Sequence, residues 1–400
     1  MRLLKIGSAF ILCLLWAAVS CHARQESGEN LENEDPEVLR QERVRRLSIN
    51  GLLVSKDIKL HPVLPTDGEI LQWPAIIRAS RPVGQIKAMR LHFIVRRLDE
   101  PQRGTWGVTV TAGNRTWKFD SRDEPESADF WTPQMPEQLL TVRVFSTVPR
   151  STLQLEIDQV IEYEEPVRQK TIVGLKDDTV PMRDVSSPTY REWARSVALL
   201  TFKGRTDGKL YTCTGFLVSP RHLITNDHCP RSKSEITSAI VEFDYDDDFA
   251  ATDRYKLTLD QLPRDKFLDF AVYRLDRDAT SRSYLRLRDD DGNLTDLRPL
   301  IIIQHPGGRP KRLASYKCNL TRPRSPVAPR TDFGHLCDTE GGSSGSPVQN
   351  TRGEVIGLHH FGYGDDDSQK INQAVKVGEI LRFIGNSDLG QDLYRLLTRP

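Results

Sequence analysis

Short runs of alternating and β-branched residues dominate the chain from Gln85 to Tyr163, and Gly, Asn, Asp and Pro separate them. Period-two alternation is the pattern of a strand that buries one face. Strands are therefore predicted at residues 91–95, 106–110, 139–145 and 153–157. About eighty residues of this kind favour a small antiparallel β-sandwich, which we assign to residues 84–163 as an accessory domain.

A second series of apolar runs with intervening turn residues begins near Ala194. It predicts strands at residues 197–202, 214–218, 239–243, 270–273, 300–303 and 355–358. About two hundred residues of this pattern are enough for two small antiparallel barrels. Only residues 380–397 have helical spacing, so the chain is predicted to be all-β with a short C-terminal helix.

The ends of these regions set the remaining boundaries. Residues 1–23 have a basic start, a short apolar core and small residues near Ala23, as in a cleaved signal peptide. The alternative is a lipoprotein anchored to a membrane through Cys21. Residues 24–83 are predicted to be a propeptide or linker, and residues 164–185 a second linker. Export to the periplasm or the exterior is expected.

Composition excludes some classes of function. The chain has 400 residues, so more than one domain is expected, and its net charge of +1 gives no electrostatic basis for binding nucleic acid. Of its six cysteines, two fall in the predicted signal peptide. The other four favour two disulfides in an exported protein. Three pairings are possible, and the favoured one closes the shortest loops: Cys213 with Cys229, and Cys318 with Cys337. The chain has no Cys-x-x-Cys spacing of the kind that binds zinc, so zinc is not expected.

Candidate chemistry lies in three short segments. A serine hydroxyl becomes a nucleophile when a base takes its proton and an acid orients that base. The chain supplies one segment for each group: Ile224-Thr225-Asn226-Asp227-His228-Cys229, Asp269-Phe270-Ala271-Val272 and Gly341-Gly342-Ser343-Ser344-Gly345-Ser346-Pro347. His228 is the candidate base and Asp269 the candidate acid, with Asp265 and Asp276 as nearby alternatives. Ser343, Ser344 and Ser346 compete as nucleophile.

These segments resemble those of the chymotrypsin-like serine proteases, nearest the bacterial branch that includes the glutamyl endopeptidases. Residues 186–400 are accordingly expected to form a double β-barrel of this family. The resemblance selects Ser344, which precedes Gly-Ser-Pro, as nucleophile. It also implies that the backbone N–H groups of Gly342 and Ser344 form an oxyanion hole. No metal and no organic cofactor is implied.

Substrate preference stays open at this stage. His359 and Thr339 match the positions at which glutamyl endopeptidases bind a substrate carboxylate. Asp338 matches the position at which trypsin-like enzymes keep an acid for Lys or Arg, and it would repel an acidic side chain. Three alternatives are kept for the substrate residue before the cleaved bond: acidic, basic, and small or apolar. Adjacent His359 and His360 look like a metal site, but neighbours on a strand point to opposite faces, so zinc is not expected.

One segment before the predicted protease domain resembles a zymogen cleavage site. The segment Thr171-Ile172-Val173-Gly174 resembles the new N-terminus of a trypsin-like zymogen cut after Lys170. In those enzymes the freed amine pairs with an aspartate immediately before the nucleophile. Ser343 holds that position here and carries no charge. The resemblance therefore identifies a zymogen-like segment but not its switch.

The sequence thus predicts an exported serine endopeptidase with a protein or peptide substrate. The sandwich is assigned a protein or a surface ligand as its partner. Two alternatives are kept: a protease-like binding protein without turnover, and an esterase with the same triad. The chain lacks the strand-to-helix elbow and the βα alternation of the α/β-hydrolases.

Overall fold

The computed structural model describes residues 51–60, 75–80, 82, 86–97, 106–120, 129–132, 135, 137–146, 153–164, 170–172, 177–205, 209–247, 253–289, 299–321, 331–362 and 371–398. Their regular structure is mainly antiparallel β, which confirms the all-β prediction. No helix among these residues is long and apolar enough to cross a membrane. The predicted signal peptide and Cys21 lie outside the described residues.

The N-terminal half contains two four-stranded antiparallel sheets. The first has the order β1-β8-β3-β6, with β1 at Gly51–Leu60, β3 at Ile86–Arg97, β6 at Asp129–Trp131 and β8 at Leu153–Glu164. The second has the order β2-β7-β4-β5, with β2 at Ala75–Arg78, β4 at Trp106–Ala112, β5 at Arg115–Asp120 and β7 at Leu139–Ser146. One apolar core contains residues of both sheets.

Strand β7 shows why this sequence forms a sandwich. Leu140, Val142 and Val144 are buried, whereas Thr141 and Arg143 between them face outward. The alternation of the pleat thus places every second side chain in the shared core. Strands β1 and β2 lie within residues 24–83, the range predicted to be propeptide or linker. That range therefore contributes one strand to each sheet, because β1 pairs with β8 and β2 with β7.

The C-terminal half contains two larger, curled antiparallel sheets. The seven-stranded sheet has the order β15-β14-β11-β12-β13-β17-β16. Its strands are β11 Val197–Lys203, β12 Leu210–Leu217, β13 His222–Thr225, β14 Ile240–Phe243, β15 Asp253–Lys256, β16 Arg264–Asp265 and β17 Phe270–Arg274. Helix α1 Pro188–Ala194 precedes β11, and helix α2 Lys233–Ser238 lies between β13 and β14.

The eight-stranded sheet has the order β10-β19-β18-β23-β24-β25-β21-β20. Its strands are β10 Val180–Pro181, β18 Ile301–Gln304, β19 Arg312–Ala314, β20 Leu320–Thr321, β21 Asp332–His335, β23 Pro347–Gln349, β24 Val355–Gly362 and β25 Asn372–Lys376. A separate two-stranded ladder pairs β9 Lys170–Thr171 with β22 Thr339–Glu340. The predicted double-barrel architecture thus appears as two sheets with one large apolar core between them.

The C-terminal segment packs against this core. Residues 380–397, predicted to be one helix, belong to two: α3 Val377–Asn386 and α4 Gln391–Leu397. Gly390 lies between them, where an added Cβ would collide with the backbone oxygen of Ile384. The Phe383 ring packs edge-on against Phe270 with centroids 5.5 Å apart. This contact holds the start of β17, where the candidate acid lies.

The sandwich is docked against the seven-stranded sheet. Arg90 on β3 forms two hydrogen bonds of 2.9 Å with the carboxylate of Glu242 on β14, and both side chains are 3% exposed. Around this pair Ala88, Ile161 and Tyr163 form an apolar cluster with Leu210 of β12. Burial is the largest single effect and lowers the pKa of Arg90, but the electrostatic interactions and hydrogen bonds with Glu242 and Tyr163 together outweigh it, so the pKa is raised.

Removal of one partner tests the docking. We expect Glu242→Ala to lower the free energy of unfolding by about 3–5 kcal/mol, because it leaves the Arg90 guanidinium buried without a counter-charge. Urea unfolding followed by fluorescence measures the effect. The exposed pair of Arg274 and Asp260, 3.1 Å apart, is the matched control, and Asp260→Ala should cost at most about 1 kcal/mol. Equal midpoints for wild type and Glu242→Ala would contradict the prediction.

Candidate active site

His228 lies just beyond the β12–β13 hairpin. The Cys213–Cys229 disulfide, with Cα atoms 6.3 Å apart, joins β12 to the residue after His228. Arg264 on β16 donates to the Asp227 carboxylate at 2.7 Å and fixes the same loop from the other side. These contacts hold the imidazole on a short, cross-linked segment rather than on a free loop.

The imidazole of His228 faces the carboxylate of Asp269. Nδ1 lies 2.8 Å from Oδ2, and the backbone N–H of His228 donates to Oδ1 at 3.0 Å. Both side chains are 2% exposed. A buried carboxylate at Nδ1 favours the tautomer with its proton on Nδ1, and that leaves Nε2 able to accept a proton.

Asp269 is held in a rare backbone conformation. Its φ is +51°, which for a residue with a side chain costs about 1–2 kcal/mol. The Asn226 side chain donates to its carbonyl oxygen at 2.8 Å and stabilises the turn. The alternative acids lie elsewhere: Asp265 accepts from the backbone N–H groups of its own turn, and Asp276 accepts from the Lys256 N–H.

The serine loop packs against the histidine hairpin. Gly342 and Gly345 have φ of +90° and +87°, a region that favours glycine. A Cβ on Gly345 would collide with the Thr214 carbonyl and the Thr225 hydroxyl, and Thr225 is three residues before His228. The Thr214 N–H donates to the Ser344 carbonyl at 2.8 Å. The fold thus brings the three predicted segments together.

The three candidate serines have different surroundings. Ser343 is buried, and its hydroxyl accepts from the Glu340 N–H at 3.1 Å. Ser346 is buried too, and its hydroxyl donates to the Ser343 carbonyl at 2.6 Å. Ser344 is half-buried. Its accessibility and the internal bonds of the other two favour Ser344 as the hydroxyl that a substrate reaches.

The backbone of the serine loop offers donors to an anion. Among the described residues the structure gives the N–H groups of Gly342 and Ser344 no hydrogen-bond acceptor. The neighbouring N–H groups are used within the loop, since Ser343 donates to Glu340 and Gly345 donates to the His359 carbonyl. This arrangement suits the oxyanion hole that the sequence predicts.

The residues predicted to form the substrate pocket lie close to this loop. Thr339 is buried on β22 and pairs with Thr171 of β9, and Ile172 is 8% exposed in the uncut chain. Asp338 is also buried, and its Oδ2 accepts from the Asp178 N–H at 2.8 Å. One of its oxygens is therefore held by the linker that precedes α1.

His335 on β21 was missed from the sequence. Its Nε2 lies 3.1 Å from Nδ1 of His359, with the rings nearly perpendicular. Burial, and then the charge of His360, lowers the pKa of His335 to about 3. Burial and the neighbouring histidines also hold the pKa of His359 well below 6.5. Both rings are thus neutral at pH 7, and no motif around His335 marks this pair in the sequence.

Two other features have structural explanations. Cys213, Cys229 and His228 lie close enough to resemble a metal site, but the two sulfurs form a disulfide. His305 lies in a turn and stacks on Tyr245, with its Nδ1 3.0 Å from the Arg309 carbonyl oxygen. The second disulfide joins Cys318 to Cys337, so both bridges follow the shortest-loop pairing.

Residues 213–358 match the family model of the trypsin-like peptidase domain. This range contains the His228, Asp269 and Ser344 segments and much of both large sheets. Over this range the chain is therefore similar to the trypsin-like peptidase domain.

The chain is 31% identical over 172 residues to the uncharacterized protein y4fB of Sinorhizobium fredii, which covers 38% of this chain and 25% of that protein. It is 30% identical over 171 residues to the secreted RxLR effector protein 73 of Plasmopara viticola, covering 38% and 42%. The chain thus spans less than half the length of each of these relatives.

Similar solved structures include a Glu endopeptidase in complex with MPD, at 23% identity and a TM-score of 0.41, covering 54% of this chain and 98% of that one. Another is the active form of the Rv3671c protease from M. tuberculosis, at 20% identity and a TM-score of 0.40, covering 51% and 86%.

Proposed function

We propose that this protein is a serine endopeptidase that cleaves peptide bonds through a Ser-His-Asp triad and a covalent acyl-enzyme. The observation that carries the proposal is the buried 2.8 Å contact between His228 Nδ1 and Asp269 Oδ2, next to the serine loop. A scaffold without chemistry has no reason to keep a buried carboxylate against a histidine beside an accessible serine.

The reaction follows from these positions. Ser344 Oγ attacks the scissile carbonyl carbon while His228 Nε2 takes its proton, and Asp269 stabilises the imidazolium that forms. The carbonyl oxygen becomes an oxyanion, which the N–H groups of Gly342 and Ser344 bind. Collapse of this intermediate breaks the C–N bond, and His228 returns the proton to the leaving amine. Water then attacks the acyl-enzyme by the same steps in reverse.

The compartment fits this activity. Disulfides persist in oxidising surroundings, and the two present here indicate an extracytoplasmic protein. We propose that residues 1–23 direct export. Anchoring through Cys21, cleavage near Ile172 and the partner of the sandwich remain sequence-based predictions.

A fluorophosphonate probe and a peptide mixture together test the proposed function. The purified mature protein should become labelled at Ser344, and it should cut peptides at positions that mass spectrometry identifies. Labelling without peptide cleavage, but with ester turnover, would favour the esterase. Neither labelling nor cleavage, before or after removal of residues 24–170, would support the binding protein without turnover.

We further propose an acidic residue before the cleaved bond. Asp338 gave the strongest argument against this preference, but one of its oxygens is bonded to the Asp178 N–H. The His335–His359 pair adds imidazole nitrogens near the serine loop, and an imidazole N–H can donate to a substrate carboxylate. Thr339, buried on the strand before the loop, can add a hydroxyl.

A single substitution tests the acidic preference. We expect His359→Leu to lower kcat/KM for a substrate with Glu before the cleaved bond by about 10- to 100-fold, the effect of losing a charge-assisted hydrogen bond. The same variant should cleave a Leu substrate at nearly the wild-type rate, which serves as the control. If the wild type prefers Lys or Arg, and Asp338→Asn removes that preference, the pocket is basic-specific instead.

A further inference from the structure

A β-bulge turns His360 toward the catalytic pair. In the ladder between β24 and β25, His359 pairs with Ala374 and Phe361 with Gln373, so the register shifts at His360. Bulges redirect side chains and are frequent beside active sites. Both neighbouring histidines are buried as a result: His359 reaches His335, whereas His360 reaches a different group of side chains.

His360 lies between two buried carboxylates. Its Nε2 is 2.8 Å from Oδ2 of Asp332 on β21, and its Nδ1 is 3.4 Å from Oδ2 of Asp269. The same Asp269 oxygen lies 2.8 Å from Nδ1 of His228. All four side chains are at most 3% exposed. They form a continuous row, His228–Asp269–His360–Asp332, that extends inward from the catalytic histidine.

Proton counting decides the state of His360. A neutral imidazole has one N–H and one lone pair, so one of its nitrogens would turn a lone pair toward a carboxylate oxygen. Two buried carboxylates with no cation between them would also repel each other. An imidazolium donates its Nε2–H to Asp332 and places its positive charge within ion-pair distance, 3.4 Å, of Asp269, so both carboxylates stay ionised.

We propose that His360 is a positioning residue of the catalytic site: an imidazolium, oriented by Asp332, that fixes the carboxylate of Asp269 for His228. This inference rests on the proposed serine-protease function. Asp332 is itself well placed to hold the ring, since Thr331 Oγ1 donates to its Oδ1 at 3.1 Å and Gln373 Nε2 to its Oδ2 at 3.3 Å.

The charge of His360 has a role in the reaction. Asp269, His360 and Asp332 together carry a net charge of −1, and proton transfer from Ser344 to His228 brings the row to zero. Without the cation His228 would face two uncompensated carboxylates and would hold its proton more strongly. Near the row, His335 and His359 stay neutral at pH 7 because their pKa values are lowered, and beside His228 the Asp227 carboxylate is paired with Arg264.

Kinetics of two variants test the assignment. His360→Phe and Asp332→Asn should each lower kcat by about 10- to 100-fold through misplacement of Asp269, with KM within about threefold of wild type. In His360→Phe the acidic limb of the pH–rate profile should move up by about one pH unit, because His228 keeps its proton longer. The double variant should lose no more than the worse single variant, since both act through one row.

A matched control separates position from packing. His92 in the sandwich forms a similar pair with Asp158, with Nδ1 2.6 Å from Oδ1, far along the chain from the serine loop. His92→Gln should leave kcat and the acidic limb unchanged. The proposal is wrong if His360→Phe folds and keeps both the wild-type kcat and the wild-type acidic limb. It is also wrong if the only change in this variant is a lower thermal midpoint, since His360 then has only a structural role.

Nitrogen NMR gives a readout that does not depend on turnover. In ¹⁵N-histidine-labelled protein at pH 8, wild type should show one imidazolium signal that disappears in His360→Phe, and neutral signals for His335 and His359. A neutral His360 signal would overturn the proposal even in an active enzyme. An imidazolium signal in a protein that neither labels nor cleaves would place the error in the proposed function instead.

Discussion

Replacement of Ser344 by alanine should lower kcat by about 10⁶-fold, the largest effect expected of any single substitution in this protein. The triad acts as a unit, so loss of the nucleophile removes nearly all of its contribution. The remaining rate, about 10³- to 10⁴-fold above water, would come from the oxyanion hole and from substrate binding. Single-turnover kinetics on a peptide with one cleavage site can measure it.

The other two serines of the loop are the matched controls. Ser343→Ala and Ser346→Ala each remove a hydroxyl that is bonded inside the loop, so both variants should still react with a fluorophosphonate. Ser344→Ala should not react, while its urea midpoint stays near that of wild type. Labelling that survives in Ser344→Ala and vanishes in Ser343→Ala would identify Ser343 as the nucleophile.

Replacement of Asp269 by asparagine should lower kcat by about 10⁴-fold at nearly constant KM. The amide keeps the size of the side chain but can present an N–H to Nδ1 of His228. The imidazole would then carry its proton on Nε2 and could not take the proton of Ser344. Steady-state kinetics at pH 8 measures the loss.

Asp276→Asn is the control for this variant. Asp276 was a candidate acid in the sequence, and the structure places it at the other end of β17, where it accepts from the Lys256 N–H. Its replacement should change kcat by less than about twofold, as expected for a surface residue. A large loss in Asp276→Asn with full activity in Asp269→Asn would reverse the assignment.

The sequence could predict those parts of the protein that local pattern determines. Alternation in segments such as Leu139–Ser146 specifies strands because the pleat itself has period two. The candidate triad could be predicted for another reason: each member lies in a short segment whose neighbouring residues are also fixed by the local structure. Residues 342 and 345, for instance, have positive φ, a backbone conformation that favours glycine.

What could not be predicted depends on contacts between distant segments. Arg90 and Glu242 are each a single charge within a strand, and nothing near either one identifies the other as its partner. Asp332 and His360 meet only because β21 and β24 both flank β25 and because a bulge turns one side chain. Strand β1 was missed because Pro62 and Pro65, close after it, favoured a linker.

The docked sandwich has a consequence for how the chain is made. Synthesis proceeds from the N-terminus, so the sandwich leaves the ribosome before β12 and β14 exist. Until they do, Arg90 lacks its counter-charge and the apolar side chains of Ala88, Ile161 and Tyr163 have no cover. The nascent sandwich therefore exposes these apolar side chains together with the positive charge of Arg90. The protease half that follows covers this face and so limits misassembly of the sandwich.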